Sequence, residues 1–305
     1  MPEGQLNGIL AAIVTPFRPD ERIDYHAWQE LIDLQIASGV HGLFCVGGQG
    51  EFFSLTEEER EVAARFCVQS VGGRVPVYVN VGAVTTRETL RLAQQAEADG
   101  ADVVVVVTPY YLKPSDDELV DHYIDVAHGV HIPVMAYNIP ERTQVQLLPA
   151  IVQRVAAVCE NFVGLKDSSG NLDAIAEYRA SGMAVFMGRD HLILEGLKRG
   201  CAGATTACAN VAPRAFVELY AAYREGDLTK AAALQALVEP LRQAFALGSF
   251  PSVVKEAMQL AGMKGGRCRR PIGPMSTEAR YKLAAVVESI RAAGYLPTIA
   301  NVAAR

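Results

Sequence analysis

A (β/α)8, or TIM, barrel with a C-terminal helical extension is the fold the sequence predicts, and three observations predict it. Short runs rich in β-branched residues alternate with amphipathic stretches, eight of each. The runs are apolar almost throughout, as in parallel strands covered on both faces. After the eighth pair come about 80 residues with no strand signal. Strand then helix, repeated eight times, is the arithmetic of one barrel.

The strand runs cover residues 9–15, 42–46, 75–80, 103–108, 134–137, 162–166, 184–187 and 203–206. The helical patterns between them cover 25–38, 56–71, 87–99, 116–128, 147–158, 172–180, 192–199 and 214–225. Thr56-Glu57-Glu58-Glu59 reads as a capping box, in which the Thr56 hydroxyl and the Glu59 carboxylate satisfy orphan amides. Ser38-Gly39, Asp99-Gly100 and Arg199-Gly200 read as helix ends, where glycine takes the left-handed position. The tail reads as three helices at 228–247, 252–260 and 277–293. The expected division is a barrel at 1–225 carrying the active site and an extension at 226–305.

With 305 residues, 50% hydrophobic and 20% charged, the chain has material for a large core and is not a disordered segment. Lys and Arg total 28 against 34 Asp and Glu, a net charge of −6. Arg267-Cys268-Arg269-Arg270 is the one basic cluster, so no nucleic-acid partner is expected. The apolar run at 9–14 is too short for a signal core or a membrane span. No membrane association and a cytoplasmic location are expected. Cys45, Cys67, Cys159, Cys201, Cys208 and Cys268 form no C-x-x-C pair and read as buried thiols.

In a barrel of this kind the chemistry sits at the C-terminal ends of the strands. Lys166 ends the run Phe162-Val163-Gly164-Leu165. Desolvation there lowers an amine pKa and leaves a nucleophile able to attack a carbonyl. The plainer alternative is an ion pair with Asp167. Tyr137 ends the preceding strand and is placed to shuttle a proton, or else is a core tyrosine with its hydroxyl bonded. Gly47-Gly48-Gln49-Gly50-Glu51 offers closely spaced amides that suit a carboxylate, or else is a tight turn. Arg142, read as lying in a loop after the fifth strand, is placed to clamp a second carboxylate or else is a solvated surface residue. His26, His41, His122, His128, His131 and His191 all avoid the strand ends, so no metal is expected. No G-x-G-x-x-G and no P-loop occurs, and no cofactor is expected.

At these residues the chain resembles the dihydrodipicolinate synthase / N-acetylneuraminate lyase family. The matching stretches are Ala12-Ile13-Val14-Thr15-Pro16-Phe17, Gly47-Gly48-Gln49-Gly50-Glu51, Thr108-Pro109-Tyr110-Tyr111, Tyr137-Asn138-Ile139-Pro140, Gly164-Leu165-Lys166-Asp167 and residues 203–211. The resemblance implies a class I lyase or aldolase in which pyruvate, or the pyruvate end of a longer 2-keto acid, forms a Schiff base on Lys166. It implies that Tyr137 is the proton shuttle and that the Gly48–Gln49 turn holds the carboxylate. Gly188 and Thr205 match positions lining the pocket. Tyr111 matches a tyrosine lent to the neighbouring subunit's site, within a homotetramer built as a dimer of dimers.

Two departures shape the expectation. The synthase and the sialic acid lyase carry hydroxyl residues at the positions of Gly48 and Gln49, and Gly48 has no side chain to relay a proton. Arg142 instead matches the synthase, where it meets the carboxylate of aspartate semialdehyde. The preferred substrate class is therefore an acidic 2-keto-3-deoxy or hydroxy-oxo acid, with carbon–carbon cleavage, carbon–carbon formation or dehydration as the reaction. The alternative is the synthase activity itself, condensing pyruvate with aspartate semialdehyde. A non-catalytic keto-acid-binding protein is the third reading. The feedback-lysine positions correspond to Phe52, Phe53, Glu57, Arg60 and Val84, so that regulation is expected to be absent.

Overall fold

The computed structural model describes residues 6–297. Eight parallel strands close in sequence order into a barrel. They are β1 (Gly8–Ala12), β2 (Gly42–Cys45), β3 (Val77–Asn80), β4 (Val103–Val107), β5 (Val134–Asn138), β6 (Phe162–Asp167), β7 (Ala184–Met187) and β8 (Gly203–Thr206). β1 pairs with β8 from Gly8↔Gly203 to Ala11↔Thr206, which closes the ring.

The period of two along each strand sorts the apolar runs into two layers. In β4, Val103, Val105 and Val107 join Leu10, Phe44, Tyr78, Met135 and Phe186 inside the barrel. Val104 and Val106 face outward into the larger core beneath the helices. Both faces are dry, so five consecutive valines are the natural solution for this strand. Each fully buried valine contributes about 1.5–3 kcal/mol. A charge at Val105 would be stripped of water inside the barrel and break the inner layer.

The helices are α1 (Tyr25–Ala37), α2 (Glu57–Val71), α3 (Thr86–Ala98), α4 (Asp116–His128), α5 (Pro140–Thr143), α6 (Pro149–Ala156), α7 (Ala174–Ala180), α8 (Ile193–Lys198) and α9 (Pro213–Glu225). The extension contributes α10 (Leu228–Gln243), α11 (Ser252–Leu260) and α12 (Thr277–Ala292). Its last expected residues, 298–305, and the expected barrel residues 1–5 lie outside the described residues.

The predicted caps are present. Thr56 Oγ1 accepts from the Glu59 amide at 3.2 Å and Glu59 Oε2 from the Thr56 amide at 3.0 Å. Gly39, Gly100 and Gly200 take positive φ just past their helices. Several details differ from the sequence reading, most by one or two residues. β1 stops at Ala12, and the following residues to Thr15 run on toward the mouth outside the sheet. The helix expected at 147–158 starts at Pro149, whose fixed φ suits the first helical position. Arg142 sits on the one-turn helix α5, opened by Pro140, and not in a loop. The helix expected at 228–247 ends at Gln243 and continues as a 3-10 turn, Ala244–Leu247.

No helix among the described residues is long and apolar enough to cross a membrane. All six cysteines are free; five are buried and Cys268 is half-buried.

Candidate active site

The C-terminal end of the barrel opens into a cavity of about 300 Å³. Lys166 lies in it, at the end of β6 and pointing to the barrel interior. Its register partners are Tyr137 on β5 and Phe186 on β7. The amine lies 4.4 Å from the centre of the Phe44 ring, and the residue is 5% exposed. Burial lowers its pKa to about 7, against an opposing pull from the Asp190 carboxylate. Strand alternation turns Asp167 to the other face. There its carboxylate accepts from Asn138 Nδ2 at 2.8 Å and Ser169 Oγ at 2.8 Å. The alternative of a Lys166–Asp167 ion pair is therefore not what the chain forms.

Tyr137 is buried beside Lys166, and burial pushes its phenol well above the usual range. The Ser168 hydroxyl, Arg142 and Arg189 pull in the opposite direction without reversing it. The phenol is a protonated donor at neutral pH.

The turn after β2 is held by strain and by a buried ion pair. Val46 and Glu51 both take positive φ, 52° and 57°, which is rare for a β-branched residue. The Gly47 position has no room for a side chain, because a Cβ would lie 2.5 Å from the Phe44 ring. Thr15 Oγ1 donates to the Gly50 carbonyl at 2.8 Å. Glu51, fully buried, pairs with Lys255 of α11 at 2.5 Å, and the same amine donates to the Thr15 carbonyl at 2.7 Å. Burial lowers the Lys255 pKa, with Glu51 opposing. This anchor presents Gly48 and Gln49 to the cavity. Among the described residues, Gln49 Oε1 and Thr205 Oγ1 are buried there without a partner, the kind of polar atom a ligand satisfies. A Cβ on Gly48 would lie 3.1 Å from Phe250 Cζ and 4.0 Å from Tyr137 Oη.

The rim is cationic. Arg142 lies over the Phe250 ring at 4.3 Å and Arg242 over Phe245 at 4.8 Å. Arg189 donates to the Ser168 carbonyl at 2.7 Å and pairs with Glu141 at 2.8 Å. Asp190 accepts from the Thr206 hydroxyl and from the Cys208 amide at 3.1 Å. A Cβ at Gly188 would lie 2.0 Å from Ser168 Oγ, so this position holds the serine by having no side chain.

Seven of the residues singled out from sequence line this one cavity: Lys166, Tyr137, Gly48, Gln49, Arg142, Gly188 and Thr205. Tyr111 does not. It is 99% exposed with φ 75°, and the single chain does not bring it to Lys166. Phe52, Arg60 and Tyr110 pack on one another beside it, with Arg60 5.3 Å and Tyr110 5.6 Å from the Phe52 ring. Ser168, Arg189, Asp190, Arg242 and Phe250 also line the cavity and were not read from sequence. Ser168 was within reach, since it stands two residues after Lys166 and returns to the same face. Arg242 and Phe250 come from the extension, to which the sequence assigns no part in the site.

The model of the dihydrodipicolinate synthetase family matches residues 5–290. The chain is 38% identical over 287 residues to the 4-hydroxy-tetrahydrodipicolinate synthase of Acidiphilium cryptum (strain JF-5), covering 93% of this chain and 98% of that one. It is 38% identical over 302 residues to the probable 2-dehydro-3-deoxy-D-pentonate aldolase YjhH of Escherichia coli (strain K12), covering 96% and 99%. Among solved structures it is similar to YagE of E. coli K12 in complex with pyruvate, with a TM-score of 0.89, 34% identity and coverage of 94% and 99%. A family match over nearly the whole chain, with relatives aligned end to end, establishes that the chain belongs to the dihydrodipicolinate synthetase family and is a lyase.

Proposed function

We propose that the protein is a class I lyase or aldolase in which Lys166 forms a Schiff base with pyruvate or a longer 2-keto acid. The observation that carries this reading is a strand-end lysine that is buried, makes no ion pair among the described residues and has a pKa near 7. About half of such amines are neutral at pH 7 and able to attack a ketone.

The amine nitrogen adds to C2 of the keto acid, and the carbonyl oxygen leaves as water to give an iminium. The departing oxygen takes one proton from the amine and one from Tyr137, which takes it back in the reverse direction. The Tyr137 phenolate accepts the proton lost from C3, giving an enamine that attacks an aldehyde carbon, and the phenol returns that proton to the new alkoxide. Read backwards, the same path cleaves the bond between C3 and C4. The keto-acid carboxylate rests on the amides and side chain at Gly48 and Gln49, with Thr205 Oγ1 as a further partner. The unpartnered Thr205 hydroxyl, free to donate, supports a small acidic ligand. Gly188 keeps the pocket open beside Lys166. Arg142 meets the acid group of the second substrate.

The preferred substrates are acidic 2-keto-3-deoxy or hydroxy-oxo acids. The relative named as a 2-dehydro-3-deoxy-D-pentonate aldolase and the missing hydroxyl at Gly48 both favour them. The second reading is 4-hydroxy-tetrahydrodipicolinate synthase, favoured by Arg142 and by the relatives that bear this name. Steady-state assays with aspartate semialdehyde plus pyruvate, beside retro-aldol assays on 2-keto-3-deoxy acids, separate the two. Aldehyde release from a 2-keto-3-deoxy acid at higher kcat/KM than the condensation supports the first. The reverse ratio supports the second.

We also propose a cytoplasmic homotetramer, a dimer of dimers in which the exposed Tyr111 reaches a partner's site. Sedimentation analysis tests the assembly, with a monomer under assay conditions as the contrary result.

A further inference from the structure

Two guanidiniums at the cavity mouth have no anion to answer them. Arg142 and Arg242 both line the cavity and neither makes an ion pair among the described residues. Each is stacked on a phenyl ring that also lines it, Arg142 on Phe250 and Arg242 on Phe245. Stacking fixes the plane of a guanidinium and leaves its N–H edge free for an oxyanion. The two carboxylates of the cavity are already committed. Glu141 is held by Arg189 at 2.8 Å, and Asp190 by the Thr206 hydroxyl and the Cys208 amide. The mouth therefore keeps two guanidiniums that no carboxylate pairs among the described residues, in a lining with three arginines and two carboxylates. Arg242 is half-buried, where an anion at its edge is screened less than at an open surface.

The other end of the cavity is provided for by Lys166, Gln49 and Thr205. A three-carbon keto acid bound there leaves the rest of the space of about 300 Å³, and the rim arginines, unused. We infer that Arg242, from the extension, joins Arg142 in a clamp for a second oxyanion, a carboxylate or a phosphate, at the far end of the substrate. The extension thereby selects substrates that are acidic at both ends. This inference rests on the reading that the keto-acid end lies at Lys166.

The test is calorimetric titration with 2-oxoglutarate and with 2-oxopentanoate, which has the same chain ending in a methyl group. Wild-type protein is expected to bind 2-oxoglutarate more tightly by ~10- to 100-fold, as charge-assisted hydrogen bonds imply. Arg242→Ala is expected to lose most of that preference while binding 2-oxopentanoate as the wild type does, which also shows that the fold is intact. Arg242→Lys retains the charge without the fork and falls between. An Arg242→Ala variant with the wild-type preference, or a wild-type protein with none, overturns the clamp. A 2-oxo acid ending in phosphate, titrated alongside, distinguishes the two anions. Borohydride reduction of the same mixtures reports separately on Lys166. Absence of an adduct with a preserved, Arg242-dependent preference would reject the Schiff base and keep the clamp.

Discussion

The Lys166 amine sits 3.9 Å from the centre of the Tyr137 ring, its register partner on the neighbouring strand. Two effects act on the amine there. The ring faces of Tyr137 and Phe44 favour the ammonium form, whereas loss of water favours the neutral amine. Desolvation is the larger, and the result is a pKa of about 7.

A rate profile follows from that balance. The second-order rate of adduct formation with pyruvate should rise with pH through an inflection near 7. Below it the rate should fall about tenfold per pH unit, since only the neutral amine attacks. A profile flat from pH 6 to 8 would contradict a titrating lysine nucleophile.

The same shift costs stability. Lys166 has a folded pKa near 7 and an unfolded value of 10.5. Between these values the unfolded chain binds more protons, so stability rises with pH across that window. Lys166→Met, inactive, should be more stable than wild type at pH 7 by on the order of 1–4 kcal/mol. The difference should shrink as pH approaches 10.5, the lysine's unfolded value. Urea titrations at both ends of the window check it; a difference independent of pH would reject the assignment.

The buried Glu51–Lys255 pair ties the turn of residues 47–51 to the extension. Lys255→Met leaves Glu51 buried without its cation. It should cost about 3–5 kcal/mol in urea unfolding. Glu51→Gln added to Lys255→Met should recover part of the loss. Equal stability of the single and double variants would mean that the pair does not couple these segments.

Gly188→Ala tests the pocket wall. The added methyl collides with Ser168 Oγ, and the backbone oxygen of Asp167 lies 2.9 Å from it. Overpacking of this kind costs about 1–3 kcal/mol. Turning the hydroxyl aside does not remove the whole clash, because Ser168 Cβ lies 3.1 Å from the added methyl. The expected result is a fall in kcat/KM of ~10²-fold from a displaced Lys166 segment. Wild-type kinetics would show that the serine has room to turn aside.

What was legible in sequence was what local chemistry marks. Strand runs such as the five valines of β4 carry their own signal, because a strand dry on both faces needs apolar residues throughout. Lys166 and Tyr137 stood out as the polar residues ending such runs. Arg242 and Phe250 carried no signal. Each reaches the mouth only because the extension folds back over the barrel, and no local periodicity encodes that approach. Lys255 was hidden for the same reason: its partner Glu51 is 204 residues away in the chain. Arg142 was placed in the right region, but the single turn of helix that carries it is too short to show a period.

Borohydride reduction in the presence of pyruvate, followed by peptide mass spectrometry, asks whether Lys166 is the covalent nucleophile. A reduced pyruvyl adduct is expected on the peptide containing Lys166 and none in the Lys166→Met variant. An unmodified Lys166 with pyruvate and longer 2-keto acids alike, or an adduct on another lysine, would contradict it.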